Sequence, residues 1–453
     1  MKTINPATGK LIKEYANTSF EEFEGIVSNA EIAQREWNKL DYPVRAPYLM
    51  KIASLLLEQK EELAALMAKE MGKPLAQGIG EIEKCAWVCE FYAKKAGKFL
   101  ERKFVKTEAN RSYVTFEPLG TVLAIMPWNF PFWQLFRFGA PALMAGNAVI
   151  LKHAEVTTGC ALKIEEIIHN SGISSDLFRT ILVKNDDMKP IIRHNGIAAI
   201  TLTGSTRAGK IVASQAGEAL KKTVLELGGS DPYLILGDAD IQKAAEACAT
   251  SRLINSGQSC IAAKRFIVTE KIYDEFLNAF RKELEKRKVG DPFEEGTDLG
   301  PMAREDLRDT LHDQVTKSIE MGAKAVLGCE KPEGEGAFYP VSLITNVSKG
   351  MPAYEEELFG PVAAVIKVKD ANEAIHVAND TSYGLGAAVF SSHREKAEQI
   401  AANQLKAGCV FVNEYVKSDP RLPFGGIKNS GYGRELGLYG IREFVNTKTV
   451  WVG

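Results

Sequence analysis

The stretch TVLAIMPWNFPFWQLFRFGAPALMAGNAVILK, residues 121–152, decides the fold class of this chain. The apolar run TVLAIMP is followed by a segment with helical spacing and then by a second apolar run, AVILK. The same alternation continues through further apolar runs at RTILV (179–183), IAAITLTG (197–204) and KTVLEL (222–227). Short apolar strands that alternate with helices predict a parallel sheet with helices on both faces, and ligands bind at the carboxyl ends of such strands.

The segments on either side of this block complete a predicted α/β architecture. Helical spacing predicts helices at about 20–40, 45–71 and 76–100, and the stretch 99–120 has the polar–apolar alternation of an exposed hairpin. A second α/β block begins near residue 232, and the chain closes with the β-rich tail TKTVWV. Because 453 residues exceed the usual size of one domain, we expect two or three domains.

The composition argues against several classes of function. The net charge of −2 offers no general attraction to nucleic acid or to an acidic membrane, and no apolar run is long enough to cross a membrane. Residues 1–10 lack the apolar core of a signal peptide, so we expect a cytoplasmic protein. Seven scattered cysteines argue against a disulfide framework, and no Cys or His spacing indicates a zinc site.

A cysteine and a glutamate are the first candidate catalytic residues. Glu226 lies in LELGGSDP at the end of an apolar strand, and Cys260 lies in the loop NSGQSC. A thiolate is a strong nucleophile, and a nearby carboxylate can act as the base for a later hydrolytic step. A single cysteine is more often an inert core thiol, but the Gly-Gln-Ser-Cys setting is turn-prone and predicts a thiol that faces a cleft.

Polar residues follow the other strands of the first block, and each has a functional and a structural interpretation. Asn129, in the rigid sequence PWNFP, can donate to an oxyanion or cap a turn. Lys152 and Glu155 can hydrogen-bond a sugar, with Glu155 repelling a 2′-phosphate and so favouring NAD over NADP, or form a surface ion pair. Gly204 and Ser205 precede a helix, where phosphate binds readily, although neither a GxGxxG nor a P-loop motif is present.

Three more residues are candidates for binding. Glu357 and Phe359, in EEELFGPV, can hold a ribose and meet a flat heterocycle, or form an acidic surface turn with a core phenylalanine. Arg137 lies on a helix that is apolar nearly all round, which predicts burial. A buried arginine needs an anion, and either a protein carboxylate or a substrate carboxylate can supply it.

Eight motifs together resemble the aldehyde dehydrogenase superfamily over essentially the whole chain. They are PWNFP, AVILKHAE, LTGSTRAG, LELGGSDP, GQSC, EEELFGPV, FVNEY and PFGGIKNSGYGRE. Within the superfamily the chain most resembles the NAD-preferring succinate-semialdehyde dehydrogenases of bacteria. The resemblance implies an α/β fold with two parallel-sheet Rossmann-like domains, one for cofactor binding and one for catalysis, and a small β oligomerisation arm. It implies a cofactor domain at 1–100 and 119–229, a catalytic domain at 230–435, and an arm at 101–118 and 436–453, in a homodimer or homotetramer.

The resemblance also implies a role for each matching residue. Cys260 attacks the aldehyde carbon, Asn129 and the Cys260 backbone N–H hold the oxyanion, and Glu226 activates the water that hydrolyses the thioester. The positions that match cofactor-contacting residues are Trp128, Lys152, Glu155, Gly204, Ser205, Leu227, Glu357 and Phe359. Arg137 matches an arginine that holds the far carboxylate of succinate semialdehyde. A second arginine of some relatives is Ile254 here, which makes Arg252 and Ser418 candidates to help bind that carboxylate.

We therefore expect a metal-free enzyme that oxidises a small-molecule aldehyde, succinate semialdehyde, with NAD in preference to NADP. Two alternatives stay open at this point. One is an aldehyde dehydrogenase with a broader range of aliphatic substrates, and the other is a cysteine acyltransferase or thiol hydrolase that uses no nicotinamide.

Overall fold

The computed structural model describes the whole chain, Met1–Gly453, and its strands form four sheets. The strands in chain order are β1 (Lys2–Ile4), β2 (Leu11–Glu14), β3 (Lys103–Phe104), β4 (Arg111–Pro118), β5 (Thr121–Met126), β6 (Ala148–His153), β7 (Phe178–Thr180), β8 (Ala199–Thr203), β9 (Lys222–Glu226), β10 (Asp231–Ile235), β11 (Ala263–Thr269), β12 (Lys324–Leu327), β13 (Ser342–Thr345), β14 (Val362–Val368), β15 (Gly386–Phe390), β16 (Cys409–Val412), β17 (Gly431–Tyr432) and β18 (Val445–Val452). The α-helices are α1 (Phe20–Asn38), α2 (Tyr42–Glu58), α3 (Lys60–Met71), α4 (Leu75–Phe99), α5 (Pro131–Ala145), α6 (Thr158–Asn170), α7 (Met188–Arg193), α8 (Thr206–Glu218), α9 (Ile241–Leu253), α10 (Tyr273–Glu285), α11 (Glu305–Glu320), α12 (Pro352–Glu355), α13 (Ala371–Asn379), α14 (Arg394–Asn403) and α15 (Gly437–Ile441).

The first α/β block forms a six-stranded sheet in the order β17-β9-β8-β5-β6-β7. Every pairing in it is parallel except that of β17 with β9. Successive residues of β5 face opposite sides: Val122 and Ala124 pack with α5 and α6, whereas Leu123 packs with α1, α7 and α8. The predicted parallel sheet with helices on both faces is therefore confirmed.

The second block forms a seven-stranded sheet in the order β12-β13-β14-β11-β10-β15-β16. Its pairings are parallel except for β12 with β13 at one edge. Buried clusters cover both faces of this sheet as well. The predicted fold class, α/β with two parallel-sheet domains, is confirmed, with one antiparallel edge strand in each sheet.

One helix prediction is wrong in the N-terminal region. The expected single helix at 45–71 is two helices, α2 and α3, which meet at Gln59, where φ is −110° and ψ is 11°. Both helices pack against α4, so the apolar periodicity continues across the break and does not reveal it. α3 ends at Gly72, whose φ of 78° is the left-handed conformation that glycine adopts readily.

The predicted hairpin at 99–120 is present as β3 and β4, and β18 pairs with β4 along its whole length in antiparallel register. The C-terminal segment departs from the expected division of the chain. β17 adds to the first sheet although it lies within 230–435, and α15 packs against α4 and α5 rather than within the arm. No helix combines the length and apolar composition that a membrane crossing requires.

Candidate active site

The carboxyl ends of the strands in the first sheet carry most of the predicted site residues. Asn129 follows β5, Glu155 follows β6, Gly204 follows β8, and Glu226 is the last residue of β9. Parallel strands end at a common edge, so these side chains lie along one rim of the sheet. Cys260 approaches this rim from the loop between α9 and β11.

The loop that carries Cys260 has an unusual backbone. The residues from Asn255 to Gly257 have φ between 54° and 73°, which is the left-handed region. That conformation costs roughly 1–2 kcal/mol for each non-glycine residue, so surrounding contacts have to maintain it. Asn255 Nδ2 donates to the Asn129 carbonyl at 2.7 Å, and the Arg252 guanidinium donates to the Gly257 carbonyl at 2.7 Å.

Cys260 is partly exposed and lines a cavity of about 280 Å³. The structure thus places the thiol at a cleft, as its turn-prone setting predicts. The residues of the lining that matter for the chemistry below are Lys84, Trp133, Arg137, Ser418 and Phe424.

The thiol of Cys260 is protonated at neutral pH. Burial raises its pKa to about 12, the cations of Arg137 and Lys264 oppose that shift, and the carboxylates of Glu357 and Glu226 add to it. Lys264 Nζ also donates to the Cys260 carbonyl, at 2.6 Å. Because the thiolate is the nucleophile, the site needs a base that removes the proton when substrate arrives.

Glu226 is a buried carboxyl with no hydrogen-bond partner on either oxygen. Burial raises its pKa well above the usual range; Arg137 opposes the shift and Glu435 adds to it. The space beside the carboxyl depends on a glycine, since a Cβ at Gly425 would lie 2.6 Å from Glu226 Oε1. A carboxyl with a raised pKa and no hydrogen-bond partner is a stronger base than an ordinary carboxylate, as a general base requires.

Asn129 is fixed beside the cysteine loop at both ends. Its Nδ2 donates to the Gln258 carbonyl at 3.0 Å, and its own carbonyl accepts from Lys73 Nζ at 2.9 Å. Lys73 is itself buried in an ion pair with Glu81. The second N–H of the Asn129 amide has no acceptor in the chain, so it remains available to an oxyanion.

Several predicted cofactor residues fit a dinucleotide. Ser205 caps α8, accepting a backbone N–H at 3.2 Å, and the other N–H groups of the first turn have no intrahelical acceptor and suit a phosphate. The rings of Trp128 and Phe359 meet edge to face, 5.8 Å between centroids. Glu357 is half-buried and accepts the Gly229 N–H at 3.0 Å, so its second oxygen can serve a ribose.

The remaining cofactor candidates lie on the same rim. Lys152 Nζ donates to Asn185 Oδ1 at 2.6 Å, and Glu155 is exposed. Leu227 packs directly on α8, because a Cβ at Gly209 would lie 2.5 Å from its side chain. A helix start for phosphate, carboxylates for ribose and an aromatic pair together fit a nicotinamide dinucleotide.

Arg137 has a protein carboxylate as its partner. Its side chain is buried, forms an ion pair with the equally buried Glu435, and lies over the Phe424 ring at 4.7 Å. It lines the cavity together with Cys260, so it still contributes to the surface that substrate meets. Ser418 lines the same cavity, and its Oγ accepts from Lys84 Nζ at 2.8 Å.

The structure does not bring Arg252 to the substrate. Its side chain is fully buried and lies outside the lining of the cavity, because its guanidinium points back to the Gly257 carbonyl. Burial lowers its pKa to about 9. The expected contact with a substrate carboxylate is thus replaced by a structural one that supports the left-handed turn.

Sequence reasoning missed four residues of this site. Glu435 and Gly425 both lie in the motif PFGGIKNSGYGRE, which indicated the family but not what either residue does in the site. Lys84 and Trp133 gave no local signal, since a lysine and an apolar side chain are ordinary residues of helices such as α4 and α5.

A family model described as "Aldehyde dehydrogenase family" matches residues 1–450 of this chain. The chain belongs to the aldehyde dehydrogenase family. A probable succinate-semialdehyde dehydrogenase (NADP+) of Synechocystis sp. is 45% identical over 450 residues, 99% of each chain. A succinate semialdehyde dehydrogenase (NAD(P)+) of Escherichia coli is 43% identical over 99% of this chain and 97% of its own length. The crystal structure of succinic semialdehyde dehydrogenase from Streptococcus pyogenes in complex with NADP+ superposes with a TM-score of 0.97 and 36% identity, over 100% of this chain and 99% of that one.

Membership of the aldehyde dehydrogenase family confirms the family predicted from the motifs, an oxidoreductase that acts on aldehydes with a nicotinamide cofactor. The names of these relatives carry NADP+ or NAD(P)+, which argues against the predicted preference for NAD.

Proposed function

We propose that this aldehyde dehydrogenase oxidises succinate semialdehyde to succinate. The observation that carries the proposal is the cavity that Cys260 faces, which is small, about 280 Å³, and contains the cations Lys84 and Arg137. A four-carbon aldehyde with a carboxylate at its far end matches a small cavity that is lined by cations and a nucleophile. Relatives 43–45% identical over the full chain carry this activity in their names.

The reaction begins with attack of Cys260 Sγ on the aldehyde carbon. The thiol has to lose its proton, since burial raises its pKa to about 12, and because Cys260 is partly exposed this proton passes to solvent. A carbon–sulfur bond forms, and the carbonyl oxygen becomes an oxyanion that the free N–H of Asn129 stabilises. A bound nicotinamide supplies the acceptor for hydride.

Hydrolysis completes the reaction. Once the substrate carbon has lost its hydride, it is a thioester carbon on Cys260. Glu226 removes a proton from water, and the water oxygen attacks this carbon. The carbon–sulfur bond breaks, the sulfur recovers a proton, and succinate leaves.

Purified protein should reduce nicotinamide in the presence of succinate semialdehyde, followed by absorbance, and Cys260→Ala should abolish this. Cys409→Ala is the matched control, because Cys409 is the other partly exposed cysteine. An unchanged rate in Cys260→Ala would remove the thiol from its role. A wild-type preference for butanal, which has four carbons and no carboxylate, would contradict the substrate.

We infer that Glu155 sets the ratio of NAD to NADP use. A carboxylate at this position hydrogen-bonds the ribose hydroxyls of NAD and repels the 2′-phosphate of NADP. Glu155→Gln should raise kcat/KM for NADP relative to NAD by about tenfold, which corresponds to ~1.4 kcal/mol. Lys184 and Arg304 line a cavity with Glu155. Attraction of the 2′-phosphate by these two cations would account for a wild-type preference for NADP. An unchanged cofactor ratio in Glu155→Gln would contradict the inference.

We also infer that the chain forms a homodimer or homotetramer through its β arm. β18 is the outer strand of the arm, so one edge of its eight residues has no partner within the chain. The arm also exposes Phe104 and Trp451. A long edge strand beside exposed aromatic side chains favours pairing with a second chain.

A further inference from the structure

Four charged side chains line the cavity beside Cys260, and three of them have a partner of opposite charge. Glu81 pairs with Lys73, and Arg137 pairs with Glu435. Lys417, at the exposed rim, pairs with Glu414 at 3.1 Å. The fourth is Lys84, which forms no ion pair in the chain.

Lys84 projects from α4 into the cavity and is held there by uncharged groups. Its Nζ donates to Ser418 Oγ at 2.8 Å and lies 4.3 Å from the centroid of the Trp133 ring. An ammonium has three N–H donors and only one of them is used in a hydrogen bond. The side chain is half-buried and lines the cavity, so the remaining donors are available to a ligand there.

The electrostatic surroundings agree with a cation that lacks a counter-charge. Burial lowers the pKa of Lys84 to about 8, and Arg137 lowers it further. Cys85, Glu81 and Asp419 oppose the shift without reversing it. An anion bound at the ammonium would supply the missing negative charge and stabilise the protonated form.

We propose that Lys84 selects acid-tailed aldehydes by binding the carboxylate at the far end of the substrate, with Ser418 and Trp133 positioning its ammonium. The proposal rests on the proposed function and assigns its specificity to a lysine of α4. Arg137 is already neutralised by Glu435, and Ile254 and Arg252 offer no cation to the cavity. Lys84 is therefore the one cation of the buried lining whose charge is free for substrate.

The test compares succinate semialdehyde with butanal, taking the ratio of the two kcat/KM values. In Lys84→Met, which keeps an unbranched apolar stem but lacks the ammonium, the ratio should fall about 30-fold or more, mainly through KM for succinate semialdehyde. Lys84→Arg should recover most of the ratio. Lys417→Met removes one charge from the rim of the same cavity, and its ratio should stay within about threefold of wild type.

A pH series on the wild type gives a second readout that does not depend on how a variant folds. The ammonium is the binding form, so KM for succinate semialdehyde should be low below about pH 8 and rise above it, about tenfold per pH unit. KM for butanal should not follow this rise. A flat ratio across this range would overturn the proposal, as would a Lys84→Met ratio equal to that of wild type, and either result would leave succinate semialdehyde as the substrate. A wild-type enzyme that prefers butanal would overturn the proposed function and the Lys84 proposal together.

Discussion

Replacing Gly425 by alanine should slow hydrolysis of the thioester without preventing its formation. A Cβ on this residue would lie 2.6 Å from Glu226 Oε1 and 2.9 Å from the Gly433 carbonyl, and ordinary contact begins at 3.4 Å. The carbonyl belongs to the backbone, so the Glu226 carboxyl is the group that gives way, by about 0.8 Å. A displacement near 1 Å of a catalytic group costs on the order of 10²-fold in rate.

Stopped-flow measurement of reduced nicotinamide separates the two steps. Gly425→Ala should give a burst close to one equivalent per active site, followed by a steady-state rate about 100-fold below wild type. Gly296→Ala is the matched control, since its φ of 79° is strained for alanine but no atom lies within 4 Å of the added Cβ. A wild-type steady-state rate in Gly425→Ala, with the protein folded, would refute the assignment of Glu226 as the base for hydrolysis.

Three further predictions follow from the buried groups and the arm. Arg137→Met leaves Glu435 buried without a partner and should lower the free energy of unfolding by about 3–5 kcal/mol, seen as a Tm roughly 6–10 °C lower. Adding Glu435→Gln should restore most of the lost stability. A double variant no more stable than the single one would contradict the pairing. Alkylation of Cys260 by iodoacetamide in the cofactor-free protein should accelerate about tenfold per pH unit from about pH 7 to about pH 10, because the thiol pKa is raised to about 12 and the thiolate fraction keeps growing. A rate that levels off above about pH 9 would show an ordinary thiol. Deleting 445–453 removes β18 and should lower the molecular mass measured by light scattering to that of a smaller species, whereas an unchanged mass would place the interface elsewhere.

The sheets could be predicted from the sequence because their strands are apolar on both faces. Runs such as TVLAIMP and AVILK are buried almost throughout in β5 and β6, and helices of clear periodicity separate them. The break between α2 and α3 escaped prediction because both helices bury their apolar residues against α4. The spacing of apolar residues indicates which face of a helix is buried. It indicates a break in the helix only when the break changes which residues are buried.

The site was predictable where its chemistry is local in sequence. Asn129, Glu226 and Cys260 each follow a strand or lie in a turn-prone loop, and these settings point to function. Lys84 and Glu435 are far from Cys260 in the chain, and only tertiary packing brings them to it. From the sequence alone, a lysine on an amphipathic helix is predicted to lie at the surface, and only the structure shows that Trp133 and Ser418 contact Lys84. The structure also shows that Arg252 faces the protein interior.

The pairing of β17 with β9 places the end of Glu226's strand against a segment close to the C-terminus. During synthesis the ribosome completes every strand of the second sheet before Gly431 and Tyr432 emerge. The strand that pairs with β9, the strand of Glu226, is therefore added to the first sheet late in synthesis. A premature stop ahead of residue 425 would leave Cys260, Asn129 and Glu226 all present, yet without Gly425 and Glu435, which lie beside Glu226. Activity of this enzyme therefore requires a chain that is intact through Glu435.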